Sequence, residues 1–344
     1  MKLGIYSDLH IGKRMYRTDE NNYNKFEHIG YRLLKQNVKA LKNANPDLII
    51  NAGDVFDVSN PSIIAINKYY QSQASINNIP TMTILGNHDF SFNNKRNNCS
   101  AVEIIKPTYF ADYELKTVEI DDCIFAMLPY IYDTKDNIKA IFRECYDTIN
   151  NSTAKKKILV THGVTEAYFK SNLINDPFII PNKLIKIFDL VIIGHIHTPF
   201  DYMQDKTLVI SPGGMIDYQA DVDRTGPIIL DTDTMKWERI PIKSPHIIKV
   251  NTTEANINDI LSNVDENIYK ITYDGDINNI DNDLFIQAKN KAVNLVIDVV
   301  STSIETEENQ VAELNLDIYS WINEHYKDYA EYFEKAKQDL TESN

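Results

Sequence analysis

Cysteine is scarce in this chain, and long apolar runs are missing altogether. Of 344 residues only Cys99, Cys123 and Cys145 are cysteine, and none stands at the paired spacing of a thiolate metal site. That excludes a disulfide framework and a cysteine-ligated cluster; reduced structural thiols in a cytoplasmic protein are expected. No stretch approaches the ~20 consecutive apolar residues of a membrane span. The opening MKLGIYSDLH runs straight into charged sequence, so no signal peptide is expected either. Internal repeats and low-complexity tracts are also absent.

What is present suits an ordinary globular protein, with 43% hydrophobic and 24% charged residues, long enough for one large domain and a smaller one. The formal net charge of −14 argues at first against a nucleic-acid partner, but its location matters. Residues 1–250 carry 29 Lys+Arg and 29 Asp+Glu, whereas residues 251–344 carry 6 against 20. The entire excess lies in the last quarter. Divalent ions bound in the neutral N-terminal part would make a site there locally positive.

Short apolar runs alternate with amphipathic stretches over the first two hundred residues. Residues 3–7, 47–52, 81–85, 157–161 and 189–194 read as buried strands, and 25–43, 62–77 and 134–149 carry apolar residues at helical spacing. The alternation predicts an α/β sandwich with helices covering sheets. From about 199 to 250, short β-prone runs broken by polar turns read as antiparallel hairpins completing a second sheet. The Ser211-Pro212-Gly213-Gly214 turn is free to bring backbone close to a ligand. The polar stretch from Asn251 reads as a linker or helix start. It leads to strands at 268–275 and 293–301 around a helical segment, a small α/β appendage. Residues 308–340 form one long helical stripe with aromatics on it.

Five of the eight histidines fall in one ordered series: Asp8-Leu9-His10, Gly53-Asp54, Gly86-Asn87-His88-Asp89, His162-Gly163 and Gly194-His195-Ile196-His197. Each fragment follows an apolar run, so the loops fall at the carboxyl ends of strands, where open sheets assemble their sites. Carboxylates, neutral imidazoles and an amide oxygen are ligands for hard or borderline divalent ions. Alone, each fragment is a turn or a core histidine that chance supplies. As a set they describe a two-metal phosphoesterase, in which paired ions clamp the attacking and leaving oxygens.

The ordered set resembles the calcineurin-like metallophosphoesterase family. Gly53-Asp54-Val55-Phe56-Asp57 followed by Pro61, Ser211-Pro212-Gly213-Gly214, and Arg224-Thr225-Gly226 resemble its SbcD-type DNA nuclease branch, which includes phage recombination endonucleases of similar length. The resemblance implies an α/β, two-sheet metallophosphoesterase sandwich flanked by helices (1–250), a small α/β capping domain (251–305) and a C-terminal partner-binding helix (306–344). It implies two divalent ions, manganese by preference. One would be held by Asp8, His10, Asp54 and His197, the other by Asp54, Asn87, His162 and His195. His88 would be the general acid, with Asp89 orienting His88 or its loop. Some relatives carry a histidine at the position of Asp57; a carboxylate cannot donate a proton at neutral pH without a large pKa rise, so Asp57 receives no catalytic role.

Lys13, Arg14 and Arg17 follow the first motif, and Lys95 and Arg96 follow the third. These are either solvated basic loops or contacts to phosphates flanking a scissile bond. The aromatic stripe of the last helix either packs on the core or docks a partner, and the resemblance favours the coiled-coil root of an SbcC-like ATPase. The leading expectation is a manganese-dependent 3′-to-5′ DNA exonuclease and structure-dependent endonuclease. It would act with that ATPase, as a homodimer within a heterotetramer, in recombination, repair and replication. A phosphoesterase for a nucleotide or cyclic nucleotide, and a catalytically dead scaffold, are the alternatives.

Overall fold

The computed structural model describes residues 1–16, 23–90, 100–172 (170–172 as backbone only), 178–215 and 225–300. In chain order the first half contains strands and helices β1 (Lys2–Tyr6), α1 (Lys25–Ala44), β2 (Leu48–Asn51), α2 (Ile63–Ala74), β3 (Thr81–Ile84), β4 (Tyr109–Ala111), β5 (Lys116–Ile120), β6 (Cys123–Leu128), α3 (Lys135–Asn151) and β7 (Lys156–His162). There follow β8 (Val164–Thr165), α4 (Glu166–Asn172), β9 (Ile179–Ile180), α5 (Asn182–Ile185), β10 (Leu190–Gly194), β11 (Phe200–Gln204), β12 (Thr207–Ser211), β13 (Ile228–Asp231) and β14 (Trp237–Arg239). The last described part holds β15 (Ile247–Thr253), α6 (Ile257–Ser262), β16 (Ile268–Asp274), α7 (Asn282–Lys291) and β17 (Asn294–Val299).

Two six-stranded sheets form the body, ordered β14-β13-β1-β2-β3-β4 and β11-β12-β10-β7-β6-β5. Each has four parallel strands, β1 to β4 in one and β12-β10-β7-β6 in the other, with antiparallel strands at the edges. The two-residue period of a strand sorts the side chains. Leu3 and Ile5 of β1 join Ile158, Val160, Leu190 and Ile192 of the second sheet in the layer between the sheets. On the opposite face, Tyr6 joins the layer under the helices. Gly4 lies there too, because a Cβ at that position would stand 2.7 Å from Leu41 of α1.

The helices follow from capping and amphipathic pattern. The Asn24 side chain accepts the Glu27 N–H at 3.0 Å at the start of α1, and Asn45 ends it in the left-handed conformation. Phe26, Ile29, Leu33, Leu34, Val38 and Leu41 form its buried stripe. Ser62 caps α2 in the same way as Asn24, through the Ala65 N–H.

The two hairpins expected to complete one sheet are divided. β11-β12 borders the second sheet, while β13-β14 lies beside β1 in the first. Register explains the division, since Leu3 pairs with Leu230 and Leu208 with Leu190. The polar stretch from Asn251, read as a linker or helix start, holds the end of β15 and then the start of α6 at Ile257. β15, β16 and β17 form a parallel three-stranded sheet with its own core around Ile257, Leu261, Ile271 and Tyr273. This unit is fastened to α1. The Lys25 ammonium donates to the carbonyls of Asn290 and of Ala292 (2.7 Å) at the end of α7, and Arg32 pairs with Glu266 at 2.6 Å. A cation at a helix C-terminus meets the unsatisfied carbonyls and the negative end of the dipole. The helical stripe at 308–340 lies outside the described residues. No described helix is long and apolar enough to cross a membrane.

Candidate metal centre

Five parallel strands of the two facing sheets end at one edge. β1 delivers Asp8 and His10, β2 Asp54, β3 Asn87 and His88, β7 His162, and β10 His195 and His197. The turns that carry them are tight. Asp8, His10, Asp54 and His195 hold φ values of 50°, 44°, 52° and 87°, a region that non-glycine residues seldom occupy. Such strain is retained where the surrounding structure fixes it, characteristically at functional sites. Here it is fixed by backbone bonds across the loops, from Asp8 N to Gly53 O (3.0 Å), His10 N to Asp54 O (3.1 Å) and Ile11 N to Val55 O (2.9 Å).

The donor atoms fall into two groups that share one oxygen. In the first, the Nε2 atoms of His10 and His197 face each other at 2.9 Å, with Asp8 Oδ1 4.0 Å from His197 Nε2. In the second, Asn87 Oδ1 lies 3.1 Å from His162 Nε2 and 2.9 Å from His195 Nδ1. Asp54 Oδ2 stands between them, 3.6 Å from His10 Nε2 and 3.3 Å from His162 Nε2. Its other oxygen is occupied by the His88 N–H at 2.9 Å. The fold therefore brings all seven expected ligand residues to one place.

The partners of these groups set their protonation. The His162 Nδ1–H donates to Ala52 O at 2.7 Å, so Nε2 is the atom turned toward Asp54 and Asn87, where it carries a proton in the absence of an ion and would give its lone pair to one when bound. Burial alone would lower the His162 pKa, but the Asp54 carboxylate outweighs it and raises it to about 9. Asp54 responds in kind. Burial would raise its carboxyl, yet His162, His10 and His88 hold it well below the ordinary carboxylate range. Burial, with His10 and Lys13 beside it, lowers His197 to about 4, so it is a neutral imidazole.

This donor set suits divalent cations. Asp8, His10, Asp54 and His162 are buried, and the two carboxylates are met by imidazoles, backbone N–H groups and the Ser7 hydroxyl, with no lysine or arginine upon them among the described residues. Facing imidazole nitrogens and a buried carboxylate oxygen between them are mixed N/O ligands awaiting a positive charge. The proton on His162 plays that part in the absence of an ion.

His88 and Asp89 diverge. His88 Nδ1 donates to the Asp57 carbonyl at 2.6 Å, so its Nε2 carries no intramolecular bond among those described. Asp89 is buried beneath the loops and accepts the N–H groups of Val55 (3.2 Å), Phe56 (3.0 Å) and Gly86 (3.0 Å). It orients the loop rather than His88. Burial, reinforced by Asp54, pushes its carboxyl up to about 7.

Two neighbours matter that the sequence reading gave no role, Asp57 and Tyr130. The Asp57 carboxylate lies 3.2 Å from His10 Nδ1 and 3.4 Å from Lys13 Nζ, which keeps it ionised despite burial. Its carbonyl holds His88, so one residue steadies two histidines. The signal was the position three after Asp54, in a turn that the Ile11–Phe56 bridge folds back on the first motif. Tyr130, after β6, stacks obliquely on His195 with ring centroids 5.9 Å apart; no motif marked it. Of the expected DNA contacts, Lys13 is paired with Asp57 and Arg14 with Glu27 at 2.9 Å. Arg17, Lys95 and Arg96 lie outside the described residues.

Several solved structures are similar in arrangement. One described as a novel archaeal phosphodiesterase is 18% identical over 70% of this chain and 100% of its own, with a TM-score of 0.36. TT1561 of Thermus thermophilus is 12% identical over 70% of this chain and 99% of its own, with a TM-score of 0.46. A dimetal phosphatase from Danio rerio is 10% identical over 66% and 91%, with a TM-score of 0.43. The sequence model of the calcineurin-like phosphoesterases matches residues 1–199, more than half of the chain and every fragment of the histidine series. The chain belongs to the calcineurin-like phosphoesterase family, whose members are metal-dependent phosphoester hydrolases.

Proposed function

We propose that this phosphoesterase is a DNA nuclease of the SbcD type, a manganese-dependent 3′-to-5′ exonuclease and structure-dependent endonuclease. Asp8, His10, Asp54 and His197 would hold one divalent ion, and Asp54, Asn87, His162 and His195 the other. When bound, such ions supply charge neutralisation of the phosphate and lower the pKa of water. The protein's own part is orientation and proton transfer. Asp54 offers Oδ2 to both groups because the His88 N–H holds Oδ1. Ala52 O fixes the His162 ring and Asp57 O the His88 ring, which leaves His88 Nε2 as the atom that would pass a proton to the leaving oxygen.

The observation that carries the choice of DNA is the second α/β unit, residues 247–300, pinned by Lys25 and Arg32 to the helix that follows the first motif. As a capping unit it would serve a polymeric substrate; a nucleotide or cyclic nucleotide does not need one. Residues 306–344 would be the segment that docks an SbcC-like coiled-coil ATPase, in an assembly of two copies of each chain.

The test is hydrolysis by the purified chain with manganese, on linear and hairpin-ended DNA and on a chromogenic phosphodiester. Degradation of DNA that falls ~10²–10⁴-fold in His88→Gln, with metal binding retained, is the expected result. Rapid turnover of the small diester with intact DNA would assign the chain to small substrates instead.

A further inference from the structure

Most exposed lysines with a described partner sit beside an acid: Lys116 by Asp112, Lys139 by Asp136, Lys155 by Asp122 and Lys186 by Asp205. One group does not. A groove of about 560 Å³ runs between α1 and α2, lined from α1 by Arg32, Lys35, Lys39 and Lys42 and from α2 by Lys68. The α1 cations stand at spacings of three, four and three, so they form one stripe along ~15 Å of helix. No carboxylate lines the groove. Arg32 is tied to Glu266, while the four lysines have no ion pair among the described residues.

The remaining walls carry the Gln71 amide and the Tyr31, Ser72 and Ser75 hydroxyls, whose protons go to Glu27, the Lys68 carbonyl and the Ser72 carbonyl, over a floor made by Leu34 and Val38. Both floor residues are buried, and Tyr31 is the one aromatic among the lining residues. Separate point charges on long stems suit a string of phosphates, each satisfied by charge alone. The upper end of the groove adjoins the site. Tyr31 donates to Glu27 at 2.6 Å, Glu27 holds Arg14, and Arg14 follows Lys13 on the first metal-bearing loop.

We propose that the α1–α2 groove is a second, non-catalytic nucleic-acid surface, on which Lys35, Lys39, Lys42 and Lys68 hold the phosphate backbone of DNA beyond the cleaved end. It rests on the polynucleotide reading of the metal centre but makes a separate claim, because Lys13 and Arg14 are already paired while these lysines are not. A duplex held there would bind without sequence preference and with strong salt dependence.

The experiment is fluorescence anisotropy of a labelled 30-base-pair duplex with the full chain in EDTA, so that nothing is hydrolysed, across a range of salt. Lys35→Gln/Lys39→Gln/Lys42→Gln, with an unchanged melting temperature, should weaken binding ~10-fold or more and reduce the log–log salt slope by about 3. The corresponding triple arginine variant should bind like the wild type. Wild-type affinity and slope in the glutamine variant would overturn the groove and leave the polynucleotide reading standing. No binding of duplex or single-stranded DNA by the wild type would overturn both. If poly-glutamate displaces the duplex at equal charge concentration, and depends on the same lysines, the surface is a dock for acidic protein and the DNA assignment fails.

Discussion

Asp57 illustrates how one residue governs two others through different atoms. Its carboxylate lies 3.2 Å from His10 Nδ1, and its carbonyl accepts from His88 Nδ1 at 2.6 Å. The first contact turns His10 Nε2 toward Asp54 and His197; the second frees His88 Nε2 for the substrate. A substitution of the side chain therefore touches metal binding and leaves the His88 bond in place. Asp57→Asn should weaken manganese binding ~10–100-fold, the range for partners that orient metal-ligating histidines. Titration calorimetry checks it, with the pH profile of hydrolysis expected to keep its shape. Unchanged affinity would remove the carboxylate from the site's architecture.

At the scale of elements, the metal edge depends on loops that approach one another without side chains between them. A Cβ on Gly86 would stand 2.1 Å from Asp54 Oδ1 and 2.4 Å from its backbone nitrogen, which neither loop can relieve without moving the shared carboxylate. Gly30, in the middle of α1, is the opposite case, with open space where its Cβ would lie. Gly30→Ala should stabilise the protein by about 1 kcal/mol, the helix-propensity gap between the two residues. Gly86→Ala should destabilise it, by a few kcal/mol on the scale of such clashes. Paired chemical denaturation curves measure both, and equal shifts in one direction would contradict the loop geometry. This difference between elements also explains what the sequence made legible. β1, β2, β3, β7 and β10 were readable because buried parallel strands are continuous apolar runs, and the ligand fragments follow directly from their ends. β5 was not, since KTVEI alternates on a half-exposed edge, nor β15, whose IIKVNTT turns polar before it ends. The role of Asp57 was hidden for another reason: whether a residue works through carbonyl or carboxylate is decided by loop closure, which leaves no mark in local pattern.

Over the whole molecule, the buried charges tie stability to pH and to metal. His162 titrates at about 9 when folded and at its ordinary ~6.5 when unfolded. The folded state thus holds the proton more tightly. Its stabilisation is complete below ~6.5 and is lost as pH rises through about 9. In EDTA the melting temperature should fall by several degrees between pH 6.5 and 9.5. Manganese should reverse that fall, since it binds deprotonated imidazole, and His162→Gln should flatten it. A wild-type melting temperature that stays level or rises over this window in EDTA would contradict the Asp54–His162 pairing. The net charge belongs to this scale as well. The body of the molecule is balanced while residues 251–344 are acidic, so the cations of the α1–α2 groove are a local feature of a balanced body.

The metal centre as a whole turns on Asp54, whose Oδ2 lies 3.6 Å from His10 Nε2 in one donor group and 3.3 Å from His162 Nε2 in the other. The most direct measurement is calorimetric titration of manganese into metal-stripped protein, wild type beside Asp54→Asn. Two ions per wild-type chain, with both sites weakened at least ~10-fold in the variant, is the predicted result. A single ion in the wild type, or a variant that loses one site and keeps the other intact, would contradict a centre built on one shared carboxylate.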